Sequence, residues 1–197
     1  MLVLRTGSKV PFPEKLSEEY MVTENRIIAN VSADKIKDVM EHFILMHEEP
    51  FFFTLELPFR QEENENGLRV VEKTHNDVYS IDGCTKEDAQ TILLLVGDLM
   101  INDGLCAFGF GCQHTMDEIM FGKYNVTTIY SESIEQYVDF MEEHEIPKTS
   151  HVTTAWDTFS REHPGISERI ETDGEDVFSI PVTFLDWGIY KAEQWEA

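Results

Sequence analysis

Two hydrophobic periods alternate along the chain: short β-branched runs in which apolar residues recur every second position, and longer stretches where they recur every third or fourth. The run 26–31 is short and β-branched, and Ser32 stands as an N-cap before a stripe of Ile36, Val39, Met40, Phe43, Ile44 and His47. That spacing predicts a helix of about four turns with one apolar face, which Pro50 closes. In 51–57 the period changes to two. Phe51, Phe53, Leu55 and Leu57 share one face and Thr54 and Glu56 the other, as in a half-buried strand. A polar turn over 61–67 and an extended stretch over 68–82, interrupted near His75-Asn76, complete the first unit.

The pattern then recurs. The strand 77–82 leads into Thr85 and Asp88, a capping box, and a helix that ends at Asn102-Asp103-Gly104. The segment 105–112 reads as a strand, with Leu105, Ala107, Gly109 and Gly111 on one face and Cys106, Phe108, Phe110 and Cys112 on the other. A strand over 126–130 precedes a second capping box, Ser133 with Gln136, and a helix showing Ile134, Tyr137, Val138 and Met141. Each helix follows a β-branched strand, a weak strand-helix-strand repeat.

In the tail, 154–163 predicts a short helix with Trp156 and Phe159, stopped by Pro164-Gly165. A charged loop follows over 168–176. Pro181 makes 177–182 an edge strand, and Thr183 with Asp186 opens a C-terminal helix bearing Phe184, Trp187, Tyr190 and Trp195. Residues 1–25, with Pro11, Pro13 and several Glu, read as an N-terminal arm, and 26–197 as a single α+β domain. The expected fold is an antiparallel or mixed sheet with four to five helices.

Composition narrows the function. The chain has 197 residues, 15 Lys and Arg against 38 Asp and Glu, and a formal charge of -23. An excess of that size removes the basic footprint that a phosphate-binding protein needs, so no nucleic-acid partner is expected. With 42% hydrophobic residues, among them 13 Phe, the chain can still build a core. Three cysteines without a CxxC pair fit a reducing compartment better than a disulfide-stapled module. No apolar h-region precedes Arg5 and no run approaches membrane-spanning length, so the expectation is a cytoplasmic protein with no membrane partner.

The densest chemistry lies between Cys106 and Glu118. Cys106, Cys112, His114 and Asp117 are zinc-ligand types, but their spacing is wrong for the common zinc patterns, so neither metal nor cofactor is expected. His114 with Asp117 and Glu118 is the one cluster that suits a general base and orienting carboxylates. The glycines at 104, 109 and 111 form no phosphate loop. They point to close packing, or to a shallow ligand groove between Gly109, Gly111 and the neighbouring Phe residues.

Charge is the stronger signal. Glu132, Glu135, Asp139, Glu142, Glu143 and Glu145 surround the third helix away from its apolar stripe, Glu168, Glu171, Asp173, Glu175 and Asp176 share one loop, and Glu62, Glu63 and Glu65 lie in the polar turn. Surfaces of one sign steer partners of the other. The first functional expectation is therefore a non-enzymatic protein that binds a basic protein partner, as immunity-type inhibitors of toxins do. Residues Glu135, Asp139, Glu142, Glu143, Glu171, Asp173, Glu175 and Asp176 would carry the contact. A small hydrolase or metal-dependent enzyme centred on His114, Asp117 and Glu118, or a small-ligand binding module at the glycines, are the alternatives.

Overall fold

A computed structural model describes residues 1–59 and 75–196; the expected polar turn at 61–67 and the 68–74 part of the extended stretch lie outside the described residues. In chain order the elements are β1 (Ser8–Lys9), β2 (Glu19–Thr23), β3 (Arg26–Asn30), α1 (Ile36–Met46), β4 (Phe51–Phe59), β5 (His75–Cys84), α2 (Lys86–Asn102) and β6 (Ala107–Cys112). They continue with β7 (Glu118–Phe121), β8 (Val126–Tyr130), α3 (Gln136–Glu143), α4 (Ala155–Thr158), β9 (Ile166–Ser167), α5 (Ile180–Thr183) and β10 (Tyr190–Glu196). The fold is α+β.

Eight strands form one sheet in the order β10-β5-β4-β6-β7-β8-β3-β2, every pair antiparallel. The period-two pattern of β4 decides which face is covered. Phe51, Phe53 and Leu55 are fully buried, as are Phe108, Phe110 and Cys112 of β6 and Ile119 and Phe121 of β7. Helix α2 crosses from β5 to β6 and lies over β4, β5 and β6, while α1 lies over β6 and β7 beside α2. Tyr137 brings α3 against Phe43 of α1, their rings 6.3 Å apart. One continuous core results. The apolar stripe of α1, from Ile36 to Ile44, faces it entirely.

Residues 1–25 are tied into this body. Leu2, Leu16 and Tyr20 are buried, and β2 is the last strand of the sheet. Its outer edge is covered at Tyr20, whose N donates to Pro147 O at 3.0 Å and whose carbonyl accepts from Thr149 N at 2.8 Å.

Thr85 and Asp88 form the expected capping box. Thr154 and Asp157 form another at the start of α4, whereas Thr183 and Asp186 open no helix. Ser32 does not cap α1, because its hydroxyl accepts from Val3 N at 2.9 Å. Ser133 does not cap α3, which begins three residues later. The tail differs more. Residues 177–182 are not an edge strand: Val177–Ser179 is a 3-10 turn that runs into α5, with Pro181 in its first turn, where a missing N–H costs nothing. The C-terminal helix is absent too. Gly188, at φ 79°, takes the left-handed conformation that ends the turn at Leu185–Trp187, and the chain then enters the sheet as β10.

The largest polar side chain in the interior is that of Arg5, a residue 1% exposed. Its guanidinium donates to Ile101 O at 3.0 Å, to Cys106 O at 3.0 Å, to Gly122 O at 3.1 Å and to Met100 O, and lies 4.7 Å over the Phe121 ring. Met100 and Ile101 are in the last turn of α2, whose carbonyls lack intrahelical partners and carry the negative end of the helix dipole. Burial lowers the pKa of Arg5, opposed by Cys106 and Asp103. Replacing Arg5 with Met takes the donor from four carbonyls, of which Met100 O keeps the Cys106 thiol at 3.3 Å, and we expect a loss of at least about 3 kcal/mol in chemical denaturation. Arg5→Lys should recover little of it, since one ammonium cannot reproduce the planar fork.

Candidate functional site

Three elements meet at the end of α1. His47 follows the last turn in extended backbone, and its Nδ1 donates to Phe43 O at 2.9 Å. The ring lies against Phe43, centroids 4.5 Å apart. Asp117 ends the β6–β7 turn, which is closed by Cys112 N to Asp117 O at 2.8 Å and Met116 N to Cys112 O at 2.9 Å, with Met116 at φ 58°. Gln136 and Tyr137 open α3.

The side chains converge on one oxygen. Asp117 Oδ2 lies 3.0 Å from His47 Nε2, 2.9 Å from Tyr137 OH and 3.0 Å from Gln136 Nε2. Tyr137 OH is also 3.0 Å from His47 Nε2, so imidazole, carboxylate and phenol form a near-equilateral triangle. The carbonyl of Phe43 can only accept, so Nδ1 is the donor there and Nε2 faces Oδ2 and the phenol. Side-chain exposure is 4% for His47 and 3% for Asp117. Burial first, then the hydrogen bond and charge of Asp117, hold the Tyr137 phenol protonated far above its ordinary range. Every polar group in the triangle is thus committed to another, and only Gln136 reaches the surface. Such an arrangement clamps α1, the β6–β7 turn and α3 together.

The expected acid–base cluster is not brought together. His114 is exposed in the turn, Asp117 is buried against His47, and Glu118 is half-buried at the start of β7. Among the described residues no hydrogen bond or ion pair joins the three. Glu118 is pushed above the usual carboxylate range by burial and by Glu56. Among the described residues no group of three or more His, Cys, Asp or Glu could hold a metal ion. All three cysteines are buried and unpaired, with the Cys106 thiol pushed up to about 12 and that of Cys84 to about 11, chiefly by burial. At the glycines there is no groove. A Cβ on Gly111 would lie 2.0 Å from the Phe52 ring, and one on Gly109 2.4 Å from Met120 Sδ, so neighbouring side chains already fill those gaps.

The acidic residues divide between two places. Glu135, Asp139, Glu142 and Glu143 are exposed along α3. Only Glu143 makes an ion pair among the described residues, with His42 at 3.7 Å. Glu171, Asp173 and Glu175 are exposed in the loop, whose Asp173-Gly174 turn has both φ angles positive. Asp176 is instead structural, pairing with Arg169 at 2.9 Å and accepting from Phe178 N at 2.9 Å. That loop is anchored by Gly104 N to Glu168 O at 3.0 Å and by Ile170 N to Asp103 Oδ2 at 2.9 Å, at the end of α2 and away from α3.

Beside the α3 acids lies a histidine pair, His42 Nδ1 and His144 Nε2 at 3.0 Å, with the His42 ring stacked on Phe140. Burial first, then His42, lowers the His144 pKa; Lys35 adds to the lowering, while Asp38 and Glu143 oppose it.

Sequence reasoning missed the clamp because its members are far apart in the chain. His47 and Asp117 are 70 positions apart. The one available signal was His47 itself, an imidazole in phase with a buried stripe, which requires a partner. Comparison with protein-family models, curated proteins and solved structures finds no match. No helix among the described residues is long and apolar enough to cross a membrane.

Two measurements check this account. Tyr137→Phe removes one donor to a buried carboxylate and should cost about 1.5–3 kcal/mol in urea unfolding, with Asp117→Ala costing more, because it strands His47, Gln136 and Tyr137 together. The His144 shift makes the unfolded chain the better proton binder, so that contribution is complete above about pH 6.5 and declines as pH falls below it. His144→Asn should therefore shrink the stability difference between about pH 7.5 and about pH 5.

Proposed function

We propose that this chain is a non-enzymatic binding protein whose partner is a basic protein. The observation that carries the reading is the outer face of α3, where Glu132, Glu135, Asp139 and Glu142 are exposed and make no ion pair among the described residues. The inner face of the same helix, with Tyr137, Phe140 and Met141, is buried in the core. Rigid carboxylates without internal cations remain available to an external one. They accelerate encounter with a cationic surface and mask it once bound. A cationic enzyme whose active site would be covered is the partner such a surface suits best, which is the logic of an immunity-type inhibitor. The exposed Glu171, Asp173 and Glu175 form a second acidic contact region at the other place described above.

Catalysis finds less support. The buried imidazole–carboxylate pair is spent on holding elements together, and His114 stands apart from Asp117.

The test is retention of a basic partner by immobilised protein at low ionic strength and its release as salt rises. Reversing charge at Glu135, Asp139 and Glu142 together should abolish retention without changing the unfolding midpoint by more than a few degrees. Retention that ignores salt, or that survives the triple reversal and a matching reversal of Glu171, Asp173 and Glu175, would refute the proposal.

A further inference from the structure

On the sheet face opposite α1 and α2, near the β7–β8 turn, a cavity of about 330 Å³ is lined by Glu56, Asn76, Leu105, Ala107, Lys123 and Trp156. Its wall is fixed from behind. The Trp156 indole, 52% exposed, is held edge-on by Tyr124 at 4.9 Å and by Phe159 at 5.5 Å. The short helix that carries it is locked by the Thr154–Asp157 capping box. Lys123 is set at the cavity by a tight turn in which Tyr124 and Asn125 both have positive φ, 56° and 65°. Asn125 is anchored in turn, its side-chain amide donating to Val3 O at 2.9 Å and Val31 O at 2.8 Å.

Two opposite charges face this space without touching. Glu56 and Lys123 form no ion pair among the described residues, although the ammonium still acts on the carboxylate. Burial raises the Glu56 pKa and Lys123 lowers it. An anion and a cation separated across a cleft, with an amide, an aromatic wall and an apolar floor of Leu105 and Ala107, are complementary to a molecule carrying both charges and an apolar group.

We propose that this cavity binds a small zwitterion of the α-amino acid class with an apolar side chain. Its ammonium would sit at Glu56, its carboxylate at Lys123, and its side chain along Trp156. A lone cation would leave Lys123 unmatched, and a lone anion would leave Glu56 unmatched. The site does not involve the acidic face of α3, so either proposal can fail alone.

The probe is L-phenylalanine, followed by isothermal calorimetry and by the fluorescence of Trp156 in a variant whose other two tryptophans are Phe. Saturable binding at about 1 mM or tighter is expected. Phenethylamine, which lacks the carboxylate, and 3-phenylpropionate, which lacks the ammonium, should each bind at least about tenfold more weakly to the unaltered protein. Glu56→Gln and Lys123→Met should each weaken phenylalanine by a similar factor while far-UV dichroism stays unchanged. The proposal is overturned if phenylalanine does not bind, if either analogue binds as well as phenylalanine, or if both folded variants retain full affinity.

Discussion

A single guanidinium, that of Arg5, ties the end of α2, the approach to β6 and the β7–β8 turn to one donor inside the core. A full charge removed from water must be compensated by oriented dipoles or opposite charge. Here carbonyls supply most of the compensation: two from the end of α2, one from the approach to β6 and one from the β7–β8 turn. Those segments are fixed relative to one another because each needs the same donor. Asn125 extends the network, its Oδ1 accepting from Arg5 N at 2.9 Å while its amide reaches Val3 and Val31. Asp103 adds the next layer, accepting from Leu105 N, Cys106 N and Ile170 N. A segment near the start of the chain is thereby part of the interior.

The His47–Asp117–Tyr137 triangle does comparable work at the C-terminal end of α1. Both networks use polar groups to specify how helices meet the sheet, a task that apolar contacts perform with less directional precision. Burial keeps the bonds of the triangle out of water: the imidazole meets a carbonyl at one nitrogen and a carboxylate and a phenol at the other. Glu135, Asp139 and Glu142 have the opposite character, exposed and without an ion pair among the described residues.

What could be read from the sequence depended on how far apart the cooperating residues lie. The Thr85–Asp88 box, the stripe of α1 and the alternation in β4 are local patterns, and each appears in the fold as expected. Ser32 and Ser133 had equally good local signatures. In those cases tertiary demands decided the outcome: Ser32 is taken by Val3, and α3 starts at Gln136, whose amide turns to Asp117. The tail misled for a different reason. The aromatic spacing from Phe184 to Trp195 fits a helix, but Gly188 and an unfilled place beside β5 favour a strand. Strand β7, only four residues long, was hidden inside a stretch that drew attention for its chemistry. Of the site, only Asp117 was anticipated, and in the wrong company. The ligands of that carboxylate come from helices before and after it in the chain, and no local spacing encodes them.

The last strand to join the sheet has a kinetic meaning. Tyr190 pairs with Ser80, so β10 and β5 are about 110 residues apart in the chain. During synthesis β5 can pair with β4 at once, but its other edge must wait until nearly all the intervening chain has been made. For that interval an unshielded ladder of N–H and C=O groups is available to any extended polypeptide nearby. The arrival of β10 shields β5 and makes this last strand the margin of the sheet.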